Sequence, residues 1–339
     1  MPSSEERSGR APHAGFSPGL CGSPWCWWVS SRRSWSGGDG DATTSVRAKG
    51  EVMSFLIESS SDPRIADFIA LTDMDLRTRT EHAAGLFIAE GFLVLERVIA
   101  AGLSIRVILT DHKRVSRAEE SISAIPPENR PDIAIAAPDL LEHITGFRVH
   151  RGVLASVERP PRPSVDQVID TGGCLLALEG LVDPTNVGLA FRSAAAMGFT
   201  GAIISTDCAD PLYRRSVRTS MGAVIDLPWT RDSNWPDSLQ AMAQSMTVIA
   251  LSPDPACPDL DEVLKTRPRP VAAVFGTEGT GLRRPTRDII ATCARIPMAQ
   301  GIDSLNIAAS VAVVGYALRS AGVIDGGTRA VHGLGRLEP

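Results

Sequence analysis

At 339 residues, 43% of them hydrophobic and with a formal net charge of −5, the chain is long enough for two domains with real cores. That balance excludes a disordered polyelectrolyte and argues against a protein that coats nucleic acid nonspecifically, while leaving room for local basic patches. The longest apolar run, Ile307 to Leu318, is too short to span a bilayer and contains Ser310 and Gly315, so it reads as a core helix rather than a membrane anchor.

Residues 1–52 are rich in Ser, Gly, Pro, Arg and Trp and show neither helical nor strand periodicity. They read as a flexible tail or as translated upstream sequence before a start at Met53, and no secretory h-region is present. From residue 53 to 158 helical and strand patterns alternate. A short helix is expected over Ile65–Leu71, a strand over Leu86–Ala89, and a helix from Phe92 to Ala101 that stops at Gly102. Strands follow at Ile105–Thr110 and Ile133–Ala136, with a polar helix at Val115–Ala124 between them, and Gly152–Val157 closes a small α/β domain. The run Arg159-Pro160-Pro161-Arg162-Pro163 is a stiff linker over residues 159–164.

The second domain spans residues 165–323, with residues 324–339 as a flexible tail. Strands are expected at Cys174–Leu178, Ala202–Ser205, Ala223–Leu227, Val248–Leu251 and Val271–Phe275, and a helix at Asn186–Met197 ends at Gly198. Continuous apolar strands alternating with helices predict an α/β fold with a mostly parallel sheet covered on both faces. The six cysteines (Cys21, Cys26, Cys174, Cys208, Cys257, Cys293) show no CxxC or other ligand spacing. They are expected to be reduced, as in a cytoplasmic protein, and no metal is expected.

Three constellations could carry chemistry. Asn186-Val187-Gly188 opens a helix in which Arg192 is the lone charge among apolar neighbours; either it pairs with a carboxylate in the fold or it contacts a phosphate or hydroxyl at a pocket edge. Gly276-Thr277-Glu278-Gly279-Thr280-Gly281 follows an apolar strand, yet it matches neither the phosphate loop, which needs Lys where Leu282 stands, nor the GxGxxG spacing. Ile296-Pro297-Met298 precedes Gly301 and Ser304-Leu305-Asn306, and Ser304 is placed to cap the apolar helix that follows.

Together, and in this order, these blocks resemble the three motifs of the SpoU (TrmH-like) branch of the SPOUT RNA methyltransferases: Asn186, Gly188 and Arg192; Phe275 to Leu282; Ile296 to Met298 with Ser304 to Asn306. Arg218-Thr219-Ser220-Met221-Gly222-Ala223 is similar to the family's R-x-S-x-G-A segment. In the first domain, Phe87 to Gly91 and Val149 to Ala155 resemble segments of the L30e-like domain that precedes many SpoU catalytic domains. Two positions depart from the pattern: Arg151 stands in place of Gln and Thr277 in place of Asn.

The resemblance implies a C-terminal SPOUT α/β-knot domain with a trefoil knot, preceded by a small L30e-like domain, and a homodimer. It implies S-adenosylmethionine as methyl donor and the ribose 2′-hydroxyl of tRNA or rRNA as acceptor. The expected catalytic residues are Arg192, Asn186 and Glu278. The expected cofactor pocket is Leu251, Phe275, Gly276, Thr277, Gly279, Gly281, Ile296, Met298, Ser304, Leu305 and Asn306. The RNA contacts are expected from Arg148, Arg151, Arg214, Arg215 and Arg218. The alternative is an RNA-binding protein of the same fold that does not transfer methyl groups.

Overall fold

Two sheets divide the chain between them. The computed structural model describes residues 53–150, 152–266, 270–300 and 304–324, all within one compact unit. The expectations made for residues 1–52, Arg151, Gly301 and the tail from residue 325 lie outside the described residues.

The first part runs β1 (Ser54–Leu56), a 3-10 helix (Pro63–Phe68), α1 (Met74–Ala84), β2 (Leu86–Glu90), α2 (Phe92–Ala100), β3 (Ile105–Thr110), α3 (Val115–Ile122), β4 (Asp132–Ile135), α4 (Pro138–Thr145) and β5 (Val153–Glu158). Its five strands lie in the order β1-β4-β3-β5-β2, with β5 antiparallel to both of its neighbours and the other pairings parallel. Strand β1, with Leu56 exposed, and helices α1 and α4 were not expected from the sequence.

The second part runs α5 (Val165–Ile169), β6 (Leu175–Leu178), α6 (Pro184–Met197), β7 (Gly201–Ser205), α7 (Arg214–Thr219), α8 (Ala223–Asp226), β8 (Trp229–Asp232), α9 (Ser238–Ser245), β9 (Thr247–Leu251), α10 (Leu260–Lys265), β10 (Val271–Phe275), α11 (Arg284–Ile289), β11 (Thr292–Ala294) and α12 (Ile307–Ser320). Its six strands form a wholly parallel sheet in the order β11-β9-β10-β6-β7-β8. The central strands β6 (LLAL) and β10 (VAAVF) are buried at every position, because helices cover both faces. Strand order reverses between β6 and β10, and in open parallel sheets that switch opens a crevice at the carboxyl ends of the strands.

Helix α6 starts where the sequence says it should. The Asp183 side chain accepts from the Thr185 amide at 2.8 Å, Pro184 takes the first turn, and Gly198 ends the helix in the left-handed region. The strand expected at Ala223–Leu227 is instead α8, and the strand falls further on, at β8. A short apolar run has no period to separate helix from strand. Gly222, at φ 83°, turns the chain into the helix, and Trp229 Nε1 donates back to the Val224 carbonyl at 3.2 Å.

The cysteine expectation is also corrected. Cys257, in the segment after β9, is disulfide-bonded to Cys293 in β11, while Cys174 and Cys208 are free and buried. Thirty-six residues of chain separate the bonded pair, and parallel pairing of β9 with β11 brings them together.

Polar contacts tie the two sheets across α7 and α8. Arg214 Nη1 donates to Glu90 Oε2 at 2.7 Å, Arg97 pairs with Asp226, and Arg159 Nη2 reaches Asp210 Oδ2 at 2.7 Å.

Candidate active site

The three motifs converge at the carboxyl ends of β6 and β10. Strand β10 leaves the sheet at Phe275 into a tight loop closed on itself: Thr277 N donates to Gly281 O at 3.1 Å, and Gly281 N to Thr277 O at 3.0 Å. Gly276 is required there, since a Cβ would lie 2.2 Å from the Gly281 carbonyl carbon and 2.3 Å from the Leu282 amide nitrogen. Gly279 (φ 93°) and Gly281 (φ 66°) make the turn, and a Cβ on either would meet only open space. The Thr277 hydroxyl is engaged within the loop, 2.5 Å from the Thr280 hydroxyl and donating to Gly281 O at 3.2 Å.

Glu278 stands at the tip of this loop and is the point where the motifs meet. Asn186 Nδ2, from the first turn of α6, donates to Glu278 Oε1 at 3.0 Å. Asn306 Nδ2 donates to the same oxygen at 3.2 Å and to Asn186 Oδ1 at 3.3 Å. Residues separated by 92 and 28 positions of sequence from Glu278 thus share one carboxylate oxygen. Asn306 also serves the helix behind it, because its Oδ1 accepts from the Ala308 amide at 2.9 Å and caps α12. That corrects the expectation for Ser304, which is exposed two residues ahead of the cap.

Arg192 lies six residues beyond Asn186 on α6, about 9 Å further along the helix axis at 1.5 Å per residue. It is exposed and has no hydrogen bond or ion pair among the described residues. The structural alternative, an arginine paired with a carboxylate of the fold, finds no such partner among the described residues. No direct bond joins Arg192 to the Asn186–Glu278–Asn306 group.

Of the residues expected to hold a cofactor, Leu251, Phe275 and Ile296, two residues past the end of β11, lie where three parallel strands leave the same end of the sheet, Leu251 standing opposite Ala294. Leu251, Ile296 and Met298 are half-buried, Phe275 is buried, and Leu305 is exposed. Half-buried aliphatic side chains beside a loop rich in free main-chain polar groups fit a nucleoside: the apolar side chains suit a flat base, and the loop amides and carbonyls suit its edge and sugar. A separate cavity of about 360 Å³, lined by Leu239, Met246, Val248, Ile289 and Thr292 among others, lies at the opposite ends of β9 and β11, away from the glycine loop.

The arginines expected to touch RNA divide. Arg148 and Arg215 are exposed and make no ion pair among the described residues. Arg218 is half-exposed, 3.7 Å from Glu90 Oε1. Arg214 is withdrawn from this set: it is buried, bonded to Glu90, and stacked 4.2 Å over the Phe147 ring. Sequence reasoning could not see its partner, which is 124 residues away.

Helix α7 carries Arg214, Arg215 and Arg218 and packs on α6 with no cushion. A Cβ on Gly188 would lie 2.1 Å from Thr219 Oγ1 and 2.5 Å from the Ser216 carbonyl oxygen. Sequence reasoning also passed over Glu179, which stands fully buried beneath the loop; its only signal was a carboxylate ending an apolar strand directly before a glycine.

The comparisons with known proteins agree with this geometry. Residues 173–316 match the model of the SpoU rRNA Methylase family. An uncharacterized tRNA/rRNA methyltransferase of Mycobacterium bovis is 34% identical over 258 residues, covering 75% of this chain and 88% of the relative. The 23S rRNA (guanosine-2′-O-)-methyltransferase RlmB of Nitrosomonas europaea is 29% identical over 216 residues, or 62% of this chain and 82% of that one. Among solved structures, the SpoU methyltransferase AviRb from Streptomyces viridochromogenes in complex with the cofactor AdoMet superposes with a TM-score of 0.63 at 26% identity, covering 76% of this chain and 98% of that one.

Fold and site together define an RNA methyltransferase built on a parallel α/β sheet. A glycine loop and two motif asparagines meet at the sheet's switch point, as the order of the strands requires. The chain belongs to the SpoU rRNA methylase family.

Proposed function

We propose that the chain methylates a ribose 2′-hydroxyl of tRNA or rRNA, with S-adenosylmethionine as methyl donor. The observation that carries this is the hydrogen-bonded group of Asn186, Glu278 and Asn306, with Arg192 further along α6 and unpaired among the described residues. S-adenosylmethionine, when bound, supplies a methyl group made electrophilic by its sulfonium. Leu251, Ile296, Met298 and Leu305 would hold the adenine, with main-chain groups of Phe275 to Gly281 and residues Ser304 to Asn306 around the rest of the nucleoside.

A ribose hydroxyl is a weak nucleophile until its proton leaves or its developing charge is stabilised. Arg192 would do the second. A guanidinium stays protonated, so it grips a neighbouring phosphate and stabilises the alkoxide rather than removing the proton. Asn186 and Asn306 hold the Glu278 carboxylate in one orientation, which fixes the loop tip against α6 and α12. Holding acceptor and donor in line removes much of the entropic part of the barrier.

The same proposal assigns residues 53–158 to an L30e-like RNA-binding domain and 165–323 to the catalytic domain with its C-terminal trefoil knot. Arg148, Arg151, Arg215 and Arg218 would meet phosphates. The protein acts as a homodimer: Ala309, Val313 and Tyr316 repeat at helical spacing along an uncovered face of α12, and exposed Leu305 lies just ahead of it. Among the described residues no helix is long and apolar enough to cross a membrane and no group of side chains could hold a metal, and the proposed location is the cytoplasm.

The test is transfer of tritium from labelled S-adenosylmethionine to total RNA, followed by mapping of 2′-O-methyl positions in cells with and without the gene. Cofactor binding in calorimetry without incorporation into any RNA would favour the alternative, an RNA-binding protein that keeps the fold and not the reaction.

A further inference from the structure

We propose that Glu179 is a positioning residue that fixes both ends of the glycine loop Gly276–Leu282 and thereby sets the main chain that receives the cofactor. Its own amide donates to Phe275 O at 2.8 Å, where the loop begins. Its carboxylate accepts from the Arg283 amide at 2.7 Å, where the loop ends. One residue of β6's exit therefore spans the two feet of the loop.

The other donors come from elsewhere in the fold. Trp235 Nε1, ahead of α9, donates to Glu179 Oε2 at 2.6 Å; the Thr286 hydroxyl, in α11, donates to the same oxygen; Arg283 Nε lies 3.4 Å from Oε1. Among the described residues these partners all act as donors to the carboxylate, and Glu179 is fully buried at 0% exposure. A buried carboxylate is expensive unless its oxygens are filled, and this one is filled by groups that include the loop's own exit. The loop's internal bonds, between Thr277 and Gly281, close it but do not aim it. The tip is held through Glu278 by Asn186 and Asn306, and the two feet are held by Glu179.

A glutamine of the same shape cannot do this. It offers one acceptor oxygen and turns an NH₂ donor toward donors that need an acceptor. In Glu179→Gln the Phe275 contact, made by main chain, survives, while one oxygen must now serve either the Arg283 amide or Trp235, so the Arg283 foot loses its undivided acceptor. The loop should then sample orientations that no longer match the cofactor.

The inference rests on the proposal that this loop is the S-adenosylmethionine site, and two measurements keep the two apart. The first is amide hydrogen exchange of the cofactor-free protein. The second is calorimetry with S-adenosylmethionine. In Glu179→Gln, exchange should quicken at residues 276–283 ahead of the rest of the sheet, and affinity should fall about tenfold, the loss expected for one charged hydrogen bond. Leu141→Ala, a core truncation in α4 against the other sheet, serves as the control: it should lower the melting midpoint and leave both readouts at the wild-type value.

Should Glu179→Gln fail to fold, Arg283 gives a second route. Arg283→Pro keeps a compatible φ (−64°) and deletes the amide that the carboxylate binds, whereas Arg283→Ala keeps that amide and removes only the side chain. The proline variant alone should loosen the loop. Unchanged loop exchange in Glu179→Gln, or equal effects of the two Arg283 variants, overturns the inference. A wild-type protein that binds no S-adenosylmethionine overturns the cofactor assignment instead, while the exchange data still judge Glu179.

Discussion

The same dipeptide ends a strand in each sheet. Glu90-Gly91 closes β2 and Glu179-Gly180 follows β6, both glutamates are buried, and both glycines take positive φ (95° and 69°). Their partners differ. Glu90 meets guanidinium groups, Arg214 at 2.7 Å and Arg218 at 3.7 Å, on a helix of the other sheet. Glu179 meets mainly neutral donors, with the Arg283 guanidinium further off at 3.4 Å. A buried carboxylate answered by charge joins two bodies whose separate burial would each leave a lone ion; one answered by neutral donors orders a loop without a second buried charge. Glu90 thus belongs to assembly of the fold and Glu179 to the shape of the site.

Arg192 sharpens the contrast most, because it is an arginine on α6 that neither glutamate holds. Arg192→Ala should lower single-turnover methyl transfer by about 10²- to 10³-fold, the range for removing one group that stabilises developing negative charge. Calorimetry should find S-adenosylmethionine affinity unchanged. A parallel loss of affinity would place Arg192 in the cofactor pocket instead.

The Glu90 side is tested by stability. Arg214→Met leaves Glu90 buried without its main partner and should cost about 3 kcal/mol in urea unfolding. Glu90→Leu combined with Arg214→Met should recover much of that loss, since both charges then go. A single variant with wild-type stability would show that Arg214 is free to leave the seam, and would restore it to the candidates for RNA contact.

Next in size is Gly188→Ala, at the contact between α6 and α7. Alanine gains up to about 1 kcal/mol in helix propensity. Against that, its Cβ would sit 2.5 Å from the Ser216 carbonyl oxygen, a main-chain atom that cannot rotate away. Overpacking costs typically about 1–3 kcal/mol, so the net effect should be destabilising by about 1–2 kcal/mol. Methyl transfer should fall as well, since α6 carries both Asn186 and Arg192. Full activity would mean that α7 can move without disturbing the acceptor side.

Asp210 makes the seam sensitive to acid. Burial pushes its carboxyl up, but the hydrogen bond from His82 and the charge and hydrogen bond of Arg159 outweigh burial and hold it well below the usual carboxylate range. A depressed pKa stabilises the fold in full above the unfolded value of about 3.9 and less as pH falls below it. Asp210→Asn should flatten the acid limb of the stability profile below about pH 4 and leave its slope at neutral pH alone.

How far these features could be read from sequence follows from where their partners lie. The strands β6, β9 and β10, helix α6 and the glycine loop announce themselves locally, through unbroken apolar runs, an Asp-Pro start and glycines at fixed offsets. Glu278 and the two asparagines were named from motifs, and the fold brought them to one oxygen. What escaped was decided at a distance. Arg214 looked like its neighbour Arg215 until Glu90 arrived from the other sheet, and Cys257 and Cys293 met only through strand pairing. The helix α8 escaped for a different reason, since four residues cannot display a period. From sequence Asn306 reads as a binding residue and Ser304 as the cap, whereas Asn306 caps the helix with one end of its amide and reaches Glu278 with the other.

Thr277 is the smallest test and separates side chain from main chain in the loop. The motif that this loop resembles carries Asn there, and the threonine hydroxyl is spent on Thr280 and Gly281 within the loop. Its methyl packs over Gly180, 2.8 Å from where a Cβ on that glycine would stand. An asparagine could keep an acceptor for the Thr280 hydroxyl, so Thr277→Asn should exchange one modest hydrogen bond for another, a change of about 1 kcal/mol or less. If main chain and the Glu179 anchorage define the site, S-adenosylmethionine affinity should move by less than about fivefold. A larger gain would mean that the amide reaches the cofactor, and that this chain works with one contact fewer than the motif provides.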